Sequence, residues 1–348
     1  MKLLIIRNDN IGDLVCTTPL IQVLHEAYPK ATIDLLGNSY NISILKYDSR
    51  LSHLWSYSKA KHLHGFLKKF HAWMDKTALL LRLRLQRYDV IIIAVPVFNE
   101  RTAKIAGWIA PKIIYGAMPE QPLRSKLPKN YRPVTIDHNK SHVLQILTYS
   151  HALGISASAP EAISLVLSKE EKQSALIERN NIPGNKKQPV LGLQISARRP
   201  QQRWSLEQWK EFISLMLPHA RIRLFWSPGS ASSLQHPGDD HLAAALLGSF
   251  PPHSLLAEPT NDLRQLMSSF YGCNLIVGSD GGAMHIAAGL DIPTLTLFGD
   301  INPSIWLPYS KKAHFMKSPS EKVTDITPQE VADKTLFNLS LLPDYLNH

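Results

Sequence analysis

Short apolar runs alternate along this chain with longer segments whose apolar residues recur every three to four positions, and the alternation occurs twice. Lys2–Arg7 (KLLIIR), Ala31–Leu36 (ATIDLL), Asp89–Val95 (DVIIIAV) and Ile113–Gly116 read as strands of a first series. Leu14, Thr18, Ile21, Leu24 and His25 fall near helical spacing. Leu63, Phe66, Leu67, Phe70, Trp73, Met74, Thr77, Leu80 and Leu81 predict a long amphipathic helix, whose other face carries Lys68, Lys69, His71 and Lys76. A helix over His142–Leu153 closes the series, and the Ser/Ala/Pro-rich stretch 156–160 reads as the start of a linker.

A second series begins with a helix over Ser168–Asn180, ended by Pro183-Gly184-Asn185. Its strands are Val190–Ile195, Arg221–Trp226, Leu275–Val277 and Thr294–Phe298, and Thr327-Pro328-Gln329-Glu330 starts a last helix with a Thr cap and Pro in the first turn. Strands alternating with helices predict an α/β chain with a parallel sheet in each half. The expected domains are 1–155 and 156–348, with the last helix able to pack back on the first domain. No G-x-G-x-x-G follows the first strand and no Walker A motif is present, which argues against a dinucleotide oxidoreductase and a P-loop ATPase.

Length and composition sharpen this picture. The 348 residues, 44% of them hydrophobic, suffice for two cores. Cys16 and Cys273 lie far apart, a usage that fits a reducing compartment with both thiols buried. No apolar run reaches the length of a membrane span, and the N-terminus reads as a strand without a signal-peptide cleavage pattern, so a soluble, cytoplasmic protein is expected. The net charge of +10 is concentrated: between Lys59 and Arg132 fifteen Lys/Arg face Asp75, Asp89, Glu100 and Glu120, a local +11. Such a surface attracts nucleic acid, anionic lipid or a phosphorylated glycolipid, or is an ordinary solvated helix face.

The chemistry concentrates in residues 275–299, LIVGSDGGAMHIAAGLDIPTLTLFG. A strand runs into Gly278-Ser279-Asp280-Gly281-Gly282, a helix opens at Ala283, Asp291-Ile292-Pro293 breaks it, and a strand follows. Backbone N–H groups at Gly281 and Gly282 suit an anion at a helix N-terminus, and Asp280 can accept hydroxyl hydrogen bonds. Phosphate donors beside a hydroxyl-binding carboxylate suggest a nucleotide sugar. Asp13, after Gly12 at the end of the first strand, is either a helix-capping carboxylate or a general base, with Asp9 as its rival. Arg198, Arg199 and Arg203 follow the strand 190–195, and Trp204 and Trp209 read as packing residues. His138 and His142 are four apart but lack a nearby third ligand type, and Asp239-Asp240 reads as a surface loop, so no metal is expected.

Asp280-Gly281-Gly282-Ala283-Met284-His285-Ile286-Ala287-Ala288, followed by a Pro-containing strand and Phe298-Gly299, resembles glycosyltransferase family 9, the bacterial heptosyltransferases of lipopolysaccharide core assembly. The resemblance extends to Gly12-Asp13-Leu14-Val15-Cys16-Thr17-Thr18-Pro19, to Arg203-Trp204 and to Asn302-Pro303…Trp306…Pro308-Tyr309, nearly the whole chain. It implies two Rossmann-like doubly wound domains facing a cleft, the GT-B-type architecture. It further implies an inverting, metal-independent transferase with no cofactor, moving heptose from ADP-heptose to a lipopolysaccharide-core glycolipid. Asp13 takes the position of the family's base. Ser196, Arg203, Asp280, Gly281, Gly282, Ala283 and His285 take donor-binding positions. Lys68, Lys69 and Lys76 of the basic segment would meet the anionic acceptor, with the enzyme peripheral at the inner face of the inner membrane. Three departures stand out: Gly281 replaces the family's Ser/Thr, Arg203 replaces its Lys, and no Glu follows Gly229 before Gln235 to hold a ribose. The rival expectations are a nucleotide-sugar epimerase on a similar scaffold and an inactive basic binding protein. Nucleic acid is not an expected partner, because Phe70 and Trp73 sit on the apolar helix face.

Overall fold

The structure, a computed structural model, describes residues 1–57, 66–120, 126–156, 158, 160, 162–230, 238–260 and 262–342, with side chains omitted at 66–70 and 72. The chain forms two compact units, Met1–Val166 and Leu167–His348. The first contains β1 (Lys2–Ile6), α1 (Ile11–Val15), α2 (Thr18–Ala27), β2 (Thr32–Asn38), β3 (His53–Tyr57), α3 (Phe66–Leu85), β4 (Val90–Ile93), α4 (Glu100–Ile109), β5 (Ile113–Ala117), β6 (Tyr131–Val134) and α5 (His142–Ala152). The second contains α6 (Lys169–Asn180), β7 (Val190–Gln194), α7 (Leu206–Met216), β8 (Arg221–Trp226), α8 (Asp240–Leu247), β9 (Leu255–Pro259), α9 (Leu263–Tyr271), β10 (Leu275–Ser279), α10 (Gly282–Gly289), β11 (Thr294–Phe298), α11 (Pro303–Trp306), β12 (Ala313–Lys317) and α12 (Pro328–Ser340).

Each unit is built on a six-stranded sheet, ordered β3-β2-β1-β4-β5-β6 in the first and β12-β11-β10-β7-β8-β9 in the second. All pairings are parallel, so both units are Rossmann-like doubly wound sheets, and each reverses its strand order once. The reversal lies between β1 and β4 in one unit and between β7 and β10 in the other. Inner strands are buried on both faces, which is why β4 (VIII), β7 (VLGLQ) and β11 (TLTLF) read as continuous apolar runs. The apolar periodicity recovers those eight inner strands. It misses β3, β6, β9 and β12, which are the four sheet edges and are partly exposed.

Local signals place the helices. Ser168 and Thr327 cap α6 and α12 through reciprocal capping boxes with Glu171 and Glu330. The expected single helix from Leu14 is instead two, α1 and α2, broken at Cys16-Thr17 with Pro19 in the first turn of α2. The linker expected at 156–160 runs on into a segment held by the first unit: the Ser164 N–H donates to Thr18 Oγ1 at 3.0 Å, and Arg50 Nη1 donates to Ser164 Oγ at 2.9 Å. The last helix, α12, packs on α7 of its own unit. Both cysteines are buried.

The amphipathic helix is present as α3; of its expected stripe Leu80 packs inward while Trp73, Met74 and Leu81 do not, and Leu63 and the side chains of Phe66, Leu67 and Phe70 lie outside the described residues. Leu83 is fully buried, and Leu79 and Leu80 pack on the core of Ile6, Leu36, Tyr88 and Ile91. Trp73, Met74, Leu81 and Leu85 are exposed, Trp73 at 63%. Apolar residues exceed what one face of α3 buries, and the excess lies outward beside Arg82 and Arg84.

Candidate active site

The unit 1 candidate site lies at its strand-order reversal, where doubly wound sheets hold ligands beyond the strand carboxyl ends. Arg7 follows β1 and its side chain is fully buried. One guanidinium nitrogen donates to the Ala94 carbonyl just beyond β4. The other, Nη2, lies 2.8 Å from Asp13 Oδ1 and 2.8 Å from His142 Nε2, at the start of α5. Arg7 Nε faces Asp9 Oδ2 at 3.6 Å without a hydrogen bond. Asp13 occupies the third position of α1. Its Oδ2 accepts from the backbone N–H of the capping residue Asn10 at 3.1 Å and from Asn10 Nδ2 at 3.0 Å.

Asp13 is therefore not the helix cap but the residue that answers it. Burial opposes its ionisation. Hydrogen bonding at the carboxylate, the charge of Arg7 and the Asn10 N–H outweigh that and hold the carboxyl well below the usual range. Burial, with Arg7 beside it, lowers the His142 pKa against the pull of Asp13. His142 and Arg7 were not among the expected site residues. A basic residue at the end of β1 and a histidine opening α5 carry no local motif; the turn after β1 brings Arg7 to Asp13, and the packing of α5 on α2 brings His142. His138, the other member of the four-spaced pair, instead faces Glu120 at 3.3 Å.

The basic acceptor candidates divide. Lys76 lies 5.5 Å over the Tyr57 ring, whose hydroxyl accepts from Asn8 Nδ2 at 2.7 Å in the turn after β1. Burial and the neighbouring Arg101 lower the Lys76 pKa. Lys68 and Lys69 fall in the first turn of α3, where the side chains lie outside the described residues.

The unit 2 candidates gather at its own reversal. Ser196 follows β7, and its Oγ accepts from the Ser227 N–H beyond β8 at 2.8 Å. Asp280 follows β10, and its N–H donates to the Leu297 carbonyl at 3.0 Å. Gly281 caps α10 with an extended backbone, and a Cβ there would meet only the Ser279 carbonyl at 3.9 Å. Gly278 lets β10 approach β7: a Cβ there would lie 2.9 Å from Gln194 Cβ and 3.1 Å from Met284 Sδ. Ala283 is half-buried in the first turn of α10, whereas His285, in the same turn, is buried at 3% exposure.

Arg203 is already engaged. Its Nη1 lies 2.6 Å from Oδ1 of Asp239, which is buried at 3% exposure rather than in the expected surface loop. The adjacent Trp204 fixes its place. Trp204 packs edge-on against Trp209 at 5.0 Å and Phe212 at 5.8 Å, and its indole N–H reaches the Val323 carbonyl at 3.0 Å. Arg199 pairs with Asp300 at 3.1 Å, and the buried Gln202 reaches Asp300 at 3.4 Å. Burial raises the Asp280 pKa to about 6, against the opposing pull of Gln202 and Arg199 and with Asp300 adding repulsion. Among the described residues no group of three or more His, Cys, Asp or Glu side chains could hold a metal ion.

The model of glycosyltransferase family 9 (heptosyltransferase) matches residues 76–335. The chain belongs to glycosyltransferase family 9. Among family relatives, lipopolysaccharide heptosyltransferase 1 of Escherichia coli K12 is 23% identical, over 96% of this chain and 99% of that protein. Lipopolysaccharide heptosyltransferase 2 of Salmonella typhimurium is 23% identical, over 96% and 97%. Of solved structures, a family 9 glycosyltransferase from Veillonella parvula covers 97% of each chain with a TM-score of 0.78 at 17% identity. The Escherichia coli heptosyltransferase WaaC with ADP covers 97% of this chain and 100% of its own with a TM-score of 0.75 at 18% identity. These structures share the fold, and the fold class is the GT-B type of this family. No described helix is long and apolar enough to cross a membrane.

The raised Asp280 pKa sets a stability test. The folded unit favours the neutral carboxyl, so this group's contribution is full below the unfolded value of 3.8 and is lost as pH rises through about 6. Asp280→Asn, which cannot ionise, should melt higher than wild type near about pH 8, by the equivalent of about 1–3 kcal/mol. The gap should close near about pH 4. Thermal melts across pH measure this; equal melting temperatures at both ends would remove the strain assigned to Asp280.

Proposed function

We propose that this family 9 chain is an inverting, metal-independent transferase that moves heptose from ADP-heptose onto a hydroxyl of a lipopolysaccharide-core glycolipid. One observation carries the reading. In each doubly wound sheet of a family 9 chain, the strand-order reversal holds the side-chain type that half of the reaction needs. Unit 1 offers the buried carboxylate of Asp13, and unit 2 offers Asp280 beside the N-terminus of α10. The heptosyltransferase names of the relatives support the sugar, and the ADP of the WaaC structure supports the nucleotide. Family membership favours transfer over the epimerase and the inactive binding protein.

In this reading Asp280 accepts hydrogen bonds from the donor sugar, and the Gly281–Ala283 amides face the diphosphate. The acceptor oxygen attacks the anomeric carbon from the face opposite the diphosphate, which inverts that centre. Asp13 takes the hydroxyl proton. The C–O bond to phosphate breaks with its electron pair, and Arg203, Arg198 and Arg199 stabilise the charge that develops there. Arg203 must share its guanidinium between Asp239 and phosphate, a fork geometry that the family's usual Lys lacks. Cationic side chains and helix amides supply this charge stabilisation in place of a metal. Lys76 contributes to acceptor binding. The exposed Trp73, Met74 and Leu81 of α3, with Arg82 and Arg87, meet the anionic lipid surface at the inner face of the inner membrane.

With ADP-heptose and core-truncated lipopolysaccharide, wild-type protein should release ADP in the presence of EDTA, and NMR of the product should show an inverted anomeric centre. Asp13→Asn should lower kcat by about 10²–10⁴. It should also lower the melting temperature, since Arg7 loses its buried anion. No turnover by wild type, a retained anomeric configuration or an EDTA-sensitive rate would each overturn the corresponding part of the reading.

Arg203→Ala should weaken ADP binding by about tenfold or more in calorimetry, the loss of a charge-assisted hydrogen bond of about 1.5–3 kcal/mol. Arg203→Lys should restore part of it. Unchanged affinity in Arg203→Ala would assign the phosphates to Arg198 or Arg199.

Phosphatidylglycerol vesicles should bind the protein in a salt-sensitive manner. Each basic residue at an anionic surface contributes about 1 kcal/mol, so Arg82→Glu/Arg87→Glu should weaken binding by about tenfold or more. Wild-type flotation by that variant would make Arg82 and Arg87 a solvated surface only.

A further inference from the structure

The contacts of Arg7 fix the protonation of His142. A guanidinium nitrogen has hydrogens to give and no lone pair to accept with. Arg7 Nη2 lies 2.8 Å from His142 Nε2 and 2.8 Å from Asp13 Oδ1, so its two hydrogens go one to each. Nε2 therefore presents a lone pair, and the ring is neutral with its proton on Nδ1. The same Nε2 lies 3.3 Å from Asp13 Oδ1. A basic ring nitrogen thus sits against the oxygen that would receive the acceptor's proton. The carboxylate itself is crowded with donors, from Arg7 on one oxygen and Asn10 on the other. Each of these donors favours the anion and disfavours holding a proton there.

We propose that Asp13 and His142 form a proton relay in which Asp13 takes the acceptor hydroxyl proton and passes it to His142 Nε2. The proposal rests on the reading of Asp13 as the base. As the new C–O bond forms and the diphosphate leaves with its electron pair, the acceptor O–H breaks and its proton moves to Asp13 Oδ1. It then crosses to Nε2, Arg7 gives up its bond to that nitrogen, and the step ends with a carboxylate beside an imidazolium. The charged groups facing the ring are Arg7 after β1, Asp9 in the following turn and Asp13 in α1. Asp9 and Asp13 favour the imidazolium, and Arg7 opposes it. His142 is a positioning residue in this scheme, since it acts on the acceptor only through Asp13. The depressed His142 pKa keeps the ring neutral, and so ready to accept, at neutral pH.

The test compares wild type, His142→Gln, Asp13→Asn and the double variant, using ADP-heptose and core-truncated lipopolysaccharide at saturating donor. His142→Gln keeps an oxygen for Arg7 but does not titrate. It should lower kcat by about 10–100-fold, leave the donor KM within about twofold, and remove the acid limb of the kcat–pH profile. The double variant should be no slower than Asp13→Asn, because the two residues act as one unit. Full activity in Asp13→Asn would overturn the base assignment. Loss in Asp13→Asn with an intact rate and pH profile in His142→Gln would overturn the relay alone, as would losses that multiply in the double variant. A measurement on the free wild-type protein stands apart from activity and from any variant's folding. In ¹⁵N-histidine NMR at neutral pH the His142 Nε2 should appear unprotonated, and a protonated Nε2 overturns the relay.

Discussion

The first unit is organised around a buried cation. Arg7 has no exposed side-chain surface, and an unpaired charge in such a place costs several kcal/mol after relaxation. The chain answers it from three directions: the Ala94 carbonyl beyond β4, the Asp13 carboxylate of α1 and the His142 ring of α5. Ala94 is brought in by the pairing of β1 with β4, Asp13 by the turn that follows β1, and His142 by the packing of α5 on α2. Removing one strands the guanidinium, so the cluster is fixed as a unit. The same requirement makes Asp13 rigid, anionic and oriented. Its folded pKa lies below the ordinary value of 3.8, so its contribution to stability is present above that pH and is lost as the pH falls through the folded value.

The second unit treats its carboxylate in the opposite way. Asp280 sits where burial raises its pKa to about 6, with Asp300 adding repulsion and only part of the strain relieved by Gln202 and Arg199. Polar atoms nearby, Gln202 Oε1 and Asp239 Oδ2, are buried without hydrogen-bond partners among the described residues. Buried polar atoms without partners occur in both units, Arg7 Nε in the first and these two in the second, and each calls for an explanation. The aromatic cluster of Trp204, Trp209 and Phe212 anchors the chain next to Arg203, so the basic loop is carried on a rigid support.

The surface of α3 follows from an excess of apolar residues over the area available to bury them. Leu79, Leu80 and Leu83 satisfy the core, and Trp73, Met74, Leu81 and Leu85 remain outside among arginines. An apolar stripe with basic flanks suits an anionic interface better than it suits water alone. Two surface concavities, one lined by Asp48, His53 and Trp55 and one by Glu171, Glu178 and Arg264, contain none of the proposed site residues. Side-chain chemistry at the strand ends marks the candidate site in each unit.

The sequence alone determined the parts of this protein that depend on local pattern. Eight inner strands were legible because burial on both faces writes an unbroken apolar run, and Ser168 and Thr327 marked helix starts because capping is local chemistry. The Asp280-Gly281-Gly282 turn and Gly12-Asp13 were legible as motifs, and with them the family. Tertiary structure alone decided the rest. The edge strands β3, β6, β9 and β12 exist because a neighbouring strand offers hydrogen bonds, and their half-exposed faces leave little trace in the sequence. The register of α3 was set by the core it meets, which selected Leu83 over Trp73. Asp239 was drawn inward by Arg203, and His142 was carried to Asp13 across 129 positions of chain. Pairings at such separations depend on which elements become neighbours, and no local pattern encodes that choice.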